Sequence, residues 1–115
     1  MSNDPKENAS QEKCPLHLIP PVFNREVAYV LALGAKKYGE WNWRETEGGV
    51  KASVYVGAIR RHLDAWWDSE FYDPESGRSH ISHIAATCAI LLDAFDNDNL
   101  ILDQPKRFTE PNSML

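Results

Sequence analysis

The stretch Tyr72 to His83, YDPESGRSHISH, holds two carboxylates, a proline–glycine turn, three serines and two histidines three positions apart. Carboxylate oxygens suit magnesium or manganese, and imidazole nitrogens suit manganese, iron, cobalt or zinc. Asp73 and Glu75, with Glu70 just upstream, supply oxygens. His80 and His83 supply nitrogens from one side of a helix, and His62 lies on the helix before it. Three of the four histidines, all but His17, therefore fall in one region. A second reading stays open. Asp73 to Gly77 is good turn sequence without any function, Ser79 is a good helix cap, and a histidine bordering an apolar helix face is commonly a hydrogen-bonded structural residue.

Two cation pairs raise the same choice. Lys36 and Lys37 sit where a helix ends, a position that suits the helix dipole, yet a lysine there also neutralises a phosphate chain as a point charge. Of Arg60 and Arg61, one can hold a phosphate by bidentate hydrogen bonds and the other can pair with Asp64 as an ordinary surface ion pair. KKYGEWNW places rings beside the lysines: Trp41 and Trp43 could stack on a base and Asn42 could bond a base edge, or the tryptophans could close the core.

These residues need elements to position them. NREVAYVLALGAKKYG reads as a first helix, capped by Asn24, stopped at Gly39, with Val27, Val30, Leu31 and Ala35 inward. VKASVYVGAIRRHLDAWWDSE reads as a second, with Tyr55, Ala58, Ile59, His62 and Trp66 on one face, widened by Val50, Val54 and Leu63. Of Trp66 and Trp67, at most one can face the core. Ser79 caps a third helix, HISHIAATCAILLDAFD, whose apolar face is Ile81, Ile84, Ala85, Cys88, Leu91, Leu92 and Phe95, with His80, His83 and Thr87 as the adjoining stripe. EWNWRETEGG reads as loop. The class is all-α, a small bundle of three to four helices. Residues 1–14 are expected as a disordered arm, followed by an extended PLHLIPPVF; 15–103 form the single domain, and 104–115 an irregular tail.

A chain of 115 residues makes one compact domain with a small core, so a large concave site would need a second copy to complete it. The net charge of −5 argues against a nonspecific grip on duplex nucleic acid, though not against a small phosphorylated ligand. Cys14 and Cys88 form neither a disulfide framework nor a zinc motif, and no apolar run approaches the length of a membrane span. A reduced, cytoplasmic setting is expected.

The order LIPP, GAKKYGEWNW, RRHLDAWW, DPESGRSHISH resembles the phage and bacterial dATP/dGTP diphosphohydrolase N-terminal domain family, often associated with the all-α MazG-like pyrophosphohydrolases, over residues 13 to 95. Matching pattern residues are Lys13, Gly34, Ala35, Lys37, Tyr38, Gly39, Asn42, Trp43, Arg61, His62, Glu70, Asp73, Glu75, Ser76, Gly77, His80 and His83. His17 stands where an acid is common, Ser69 where glycine is usual and Thr87 where asparagine is usual. The glutamate-rich ExxE and ExxD arrangement of MazG-like enzymes is missing from the second and third helices, and His62 with the His80/His83 pair stands in its place. The resemblance implies water attack on a nucleoside triphosphate, releasing pyrophosphate and the monophosphate. The expectation is metal-dependent hydrolysis of a purine deoxynucleoside triphosphate. His62, Asp73, His80 and His83 would hold a divalent metal, magnesium or manganese or, given the histidines, a transition metal. Glu70 or Glu75 would orient or deprotonate water. Lys37 and Arg61 would neutralise charge, with Lys36 and Tyr38 as further substrate-binding residues, and Trp43 and Asn42 would hold the base. The alternative is a module that sequesters a nucleotide or nucleotide-derived signal without hydrolysing it. A homo-oligomer is expected in both cases.

Overall fold

The computed structural model describes residues 3–11 and 13–107. Its elements run α1 (Pro5–Ser10), a 3₁₀ turn (Leu16–Leu18), α2 (Pro21–Tyr38), α3 (Asn42–Glu45), β1 (Val50–Lys51), α4 (Ala52–Trp67), α5 (His80–Asp96) and β2 (Leu100–Ile101). The all-α class holds, with one two-residue parallel strand pair added, Val50 opposite Leu100 and Lys51 opposite Ile101.

The three expected helices are α2, α4 and α5. For α5 the bounds and the cap agree with expectation: the Ser79 hydroxyl oxygen accepts from the Ile81 N–H at 3.1 Å. For α2 the start does not. Asn24 lies inside the helix, which opens at Pro21. Proline is well suited to the first helical position, because the N–H it lacks would have no intrahelical partner there. The preceding segment is likewise not extended throughout, since Leu16–Leu18 form a 3₁₀ turn. Nor is the arm featureless: Pro5–Ser10 is helical, capped by Asp4 and burying nothing. Within the expected tail, residues 104–107 have no regular structure and residues 108–115 lie outside the described ones.

Helix α5 is central, packing along both α2 and α4, which barely meet each other. That arrangement corrects the expected apolar face of α5. The side chains it buries are His80, Ser82, Ala86 and Ala94, whereas Ile81, Cys88, Leu92 and Phe95 are exposed. A helix gripped on two sides needs small residues at its contacts, so the large ones turn outward. Val54 and Leu63 on α4 are also exposed, and Trp67 faces solvent while Trp66 is half-buried. The inner faces of α2 (Val27, Val30, Leu31, Ala35) and α4 (Tyr55, Ala58, Ile59, His62) are half-buried as expected. Among the described residues no large side chain is fully buried.

The best-packed cluster is Trp43, Val50 and Ala94, with Leu31, Tyr55, Ile90 and Leu100 against it. It ties α3 and the strand pair to the C-terminal end of α5. The Trp43 indole N–H donates to Asp93 Oδ2 at 2.8 Å, and Arg44 grips the same carboxylate through Nε at 2.8 Å and Nη2 at 2.7 Å. The Arg44 hydrogen bonds first, then that of Trp43, push the Asp93 carboxyl down to about 2.

The turn that leads out of α4 has a visible physical cost. Ser69 has a φ of 72°, the left-handed region where a side chain costs roughly 1 kcal/mol and a glycine does not. The exit from α4 therefore bears strain at a position that would suit glycine.

Candidate active site

Helices α4 and α5 form an antiparallel hairpin, and residues 68–79 connect them. The connection folds back on itself: Tyr72 bridges Ser79, the Asp73 N–H donates to the Arg78 carbonyl at 2.8 Å, and the His80 N–H donates to the Phe71 carbonyl at 3.0 Å. The turn reading of Asp73 holds, and its two oxygens have different surroundings. Oδ1 accepts from the backbone N–H of Glu75 at 2.7 Å and of Ser76 at 3.4 Å, closing the Asx turn. Oδ2 faces the histidines, 3.9 Å from His62 Nδ1 and 3.7 Å from His83 Nε2.

His62, Asp73 and His80 each offer one donor atom, and the three atoms lie within 4.8 Å of one another. His62 Nδ1 and His80 Nδ1 are 2.8 Å apart, so one must carry a proton that the other accepts. Behind His80, the Glu70 carboxylate accepts from Nε2 at 2.8 Å. That bond places the ring's proton on Nε2 in the neutral imidazole and leaves Nδ1 with a lone pair turned toward His62. His83 stacks flat on His62, centroids 4.5 Å apart and planes 7° apart, and its Nε2 bonds the Ser76 hydroxyl at 2.7 Å.

Burial lowers the proton affinity of His62, and the neighbouring His83 and His80 add to it; burial does the same for His83. Both rings therefore favour the neutral form, in which a nitrogen can act as a ligand. Burial alone would raise the Asp73 carboxyl. The backbone N–H groups of Glu75 and Ser76, with His83 and His62, outweigh it and hold the group below its ordinary value. Two imidazole nitrogens, an ionised carboxylate and a carboxylate backing one imidazole are a donor set that fits a divalent metal.

This cluster edges a trough of about 1170 Å³ between α2 and α4, floored by α5. The trough sorts the expected substrate residues. Lys37, Tyr38, Asn42 and Arg61 line it, as do His62, Asp73, Glu75, Ser76 and His83. Lys36 does not. Glu70 does not either, so its place is behind His80 rather than beside a substrate's water. Glu75 is exposed at the rim and pairs with Lys37 Nζ at 3.1 Å. Trp43 reaches the trough but is only 8% exposed, with its N–H committed to Asp93, so its ring is not open for stacking on a base. Thr87 lines the trough and its hydroxyl donates to the His83 carbonyl at 2.8 Å. Sequence reasoning missed Ser76 as the partner of His83; its position three residues after Asp73 in an Asx turn was the available signal.

The chain is thus a small helical domain whose α-helical hairpin brings a histidine–aspartate cluster close to a trough lined by Lys37 and Arg61. The chain belongs to the family described as dATP/dGTP diphosphohydrolase, N-terminal, whose model matches residues 3–104. It is similar to a dATP/dGTP diphosphohydrolase of Salmonella phage PMBT28, at 42% identity over 76 residues, 66% of this chain and 25% of that relative. The match thus spans about a quarter of the length of the curated relative. No solved structure matches the chain. Among the described residues, no helix is long and apolar enough to cross a membrane.

Proposed function

We propose that this domain binds a purine deoxynucleoside triphosphate in the trough and hydrolyses it to the monophosphate and pyrophosphate. The observation that carries the proposal is the meeting of His62, Asp73 and the buried His80, the first two of which line a trough that also holds Lys37 and Arg61. A divalent ion bound there would polarise a phosphate oxygen and lower the pKa of a bound water. His62, Asp73 and His80 would hold it, and the nitrogen-rich set suits manganese, cobalt or zinc better than magnesium. Lys37 and Arg61 stabilise the charge that develops as the water oxygen bonds the α-phosphorus and pyrophosphate leaves. Glu75, a carboxylate at the trough rim, takes the water's proton once Lys37 turns to the phosphates. Glu70 acts through His80 and is a positioning residue.

One observation favours sequestration without hydrolysis instead: Glu70 and Glu75 are both already paired, with His80 and Lys37. A single screen separates the two. Purified protein is offered each common nucleoside and deoxynucleoside triphosphate with magnesium, manganese or cobalt, and pyrophosphate release is followed. Release with dATP or dGTP that stops on adding EDTA is the expected result. Binding that survives EDTA, with the nucleotide recovered intact, would replace hydrolysis by sequestration.

The functional unit is a homo-oligomer. The trough exceeds the roughly 300–1,000 Å³ of an ordinary ligand pocket, and Leu92, Phe95, Val54 and Leu63 lie exposed on the two helices of the hairpin. A second copy would cover such faces. Light scattering on the eluting protein is expected to give a multiple of 13.1 kDa; a clean monomer at micromolar concentration would refute this.

A further inference from the structure

Within three residues of Tyr38 the backbone reverses twice. Gly39 ends α2 at a φ of 93°, and Trp41 then adopts φ 59° and ψ 25°, a left-handed conformation seldom taken by a bulky residue. The two reversals send neighbouring tryptophans to different fates. Trp43 turns into the core, while Trp41 is left 53% exposed on the lining of the trough. Its ring is not loose. The Arg44 guanidinium lies over it, 4.5 Å from the centroid, and is itself fixed by the Asp93 carboxylate. Trp43 supports it at 5.2 Å with the planes tilted by 46°. Backbone strain retained at a solvent-facing aromatic needs a reason, and strained positions gather at ligand-binding sites.

We infer that Trp41, rather than Trp43, is the stacking platform for the nucleobase and sets a preference for purines. A ring held at fixed orientation from below presents an open aromatic surface at no further ordering cost. Asn42 follows directly and lines the same wall, where its amide can meet a base edge. Lys37 and Arg61 on the same trough take the triphosphate. The larger purine overlaps the indole better than a pyrimidine does, so discrimination follows from stacking area.

The inference rests on the nucleotide reading above, and the test separates the two. Wild type, Trp41→Ala and Trp41→Phe are compared for binding of dATP, dCTP and inorganic triphosphate, and for KM and kcat on dATP, with thermal melts to confirm folding. Trp41→Ala is expected to raise the Kd and KM for dATP on the order of tenfold. It should leave kcat and inorganic triphosphate binding within about twofold, bring dATP and dCTP close together, and keep a near-normal melt. Trp41→Phe should retain most of the preference. A Trp41→Ala protein that folds and binds dATP as wild type does would overturn the assignment. So would equal losses for dATP and inorganic triphosphate, which would mark a structural role. Wild-type protein that binds no nucleotide would remove the parent reading and this one together.

Discussion

Replacing His80 by alanine is expected to cut nucleotide hydrolysis by about a hundredfold or more and to lower the divalent-metal content of the purified protein. His80 stands between the Glu70 carboxylate and His62, both at 2.8 Å. Its removal takes away a donor and leaves His62 without the partner it faces. Because the His80 side chain is buried, a thermal melt must accompany the assay, and His62→Ala, at a more open position, provides the companion variant. Glu70→Gln should lie between wild type and these, with a loss of about ten- to a hundredfold, as for other residues that orient a ligand from behind. Turnover and metal content unchanged in both histidine variants would show the cluster to be a hydrogen-bonded structural feature.

The second large effect concerns the fold. Gly49→Ala is expected to destabilise the protein by about 3 kcal/mol or more, read as a fall in melting temperature of at least about 10 °C. Gly49 has a φ of 94°, and a Cβ there would collide with the Asn99 carbonyl oxygen and stand 3.0 Å from its carbon. That carbonyl cannot retreat freely, because it accepts the Val50 N–H at 2.9 Å and so begins the strand pair. Gly48 is the internal control. Its φ of 78° is also left-handed, but a Cβ would meet nothing within 4 Å. Gly48→Ala should therefore cost only the roughly 1–2 kcal/mol of backbone strain. Equal losses at the two positions would mean the Asn99 contact does not constrain the chain.

The three long helices were legible because each has helical apolar spacing between recognisable ends, and Ser79 and Gly39 marked two of those ends. The start of α2 was misplaced because Pro20–Pro21 read as a breaker, although proline is well suited to a first helical position. Two-residue strands show no alternation, so β1 and β2 could not be seen. The burial of α5 was misjudged for a different reason. Spacing identifies an apolar stripe but not what covers it, and in α5 small residues meet α2 and α4 while Leu92 and Phe95 face outward. Among site residues, the grouping of His62, Asp73 and His80 was legible from their order. The division between Lys36 and Lys37, or between Trp41 and Trp43, was not, because it depends on helix rotation and on a left-handed residue that no pattern announces.

The divided carboxylate of Asp73 carries a consequence for chemical tolerance. One oxygen is fastened to two backbone N–H groups of its own turn, so the position of the other is dictated by a few residues of local chain rather than by distant packing. The usual exchange of aspartate for glutamate would not be conservative here. An added methylene would either break the turn or carry the second oxygen out of reach of the histidines. Asparagine, by contrast, could keep the turn and surrender only the charge. At this residue the length of the side chain and its ionisation are separately heritable properties, and the connection between α4 and α5 tolerates changes in one far less than its loop-like appearance suggests.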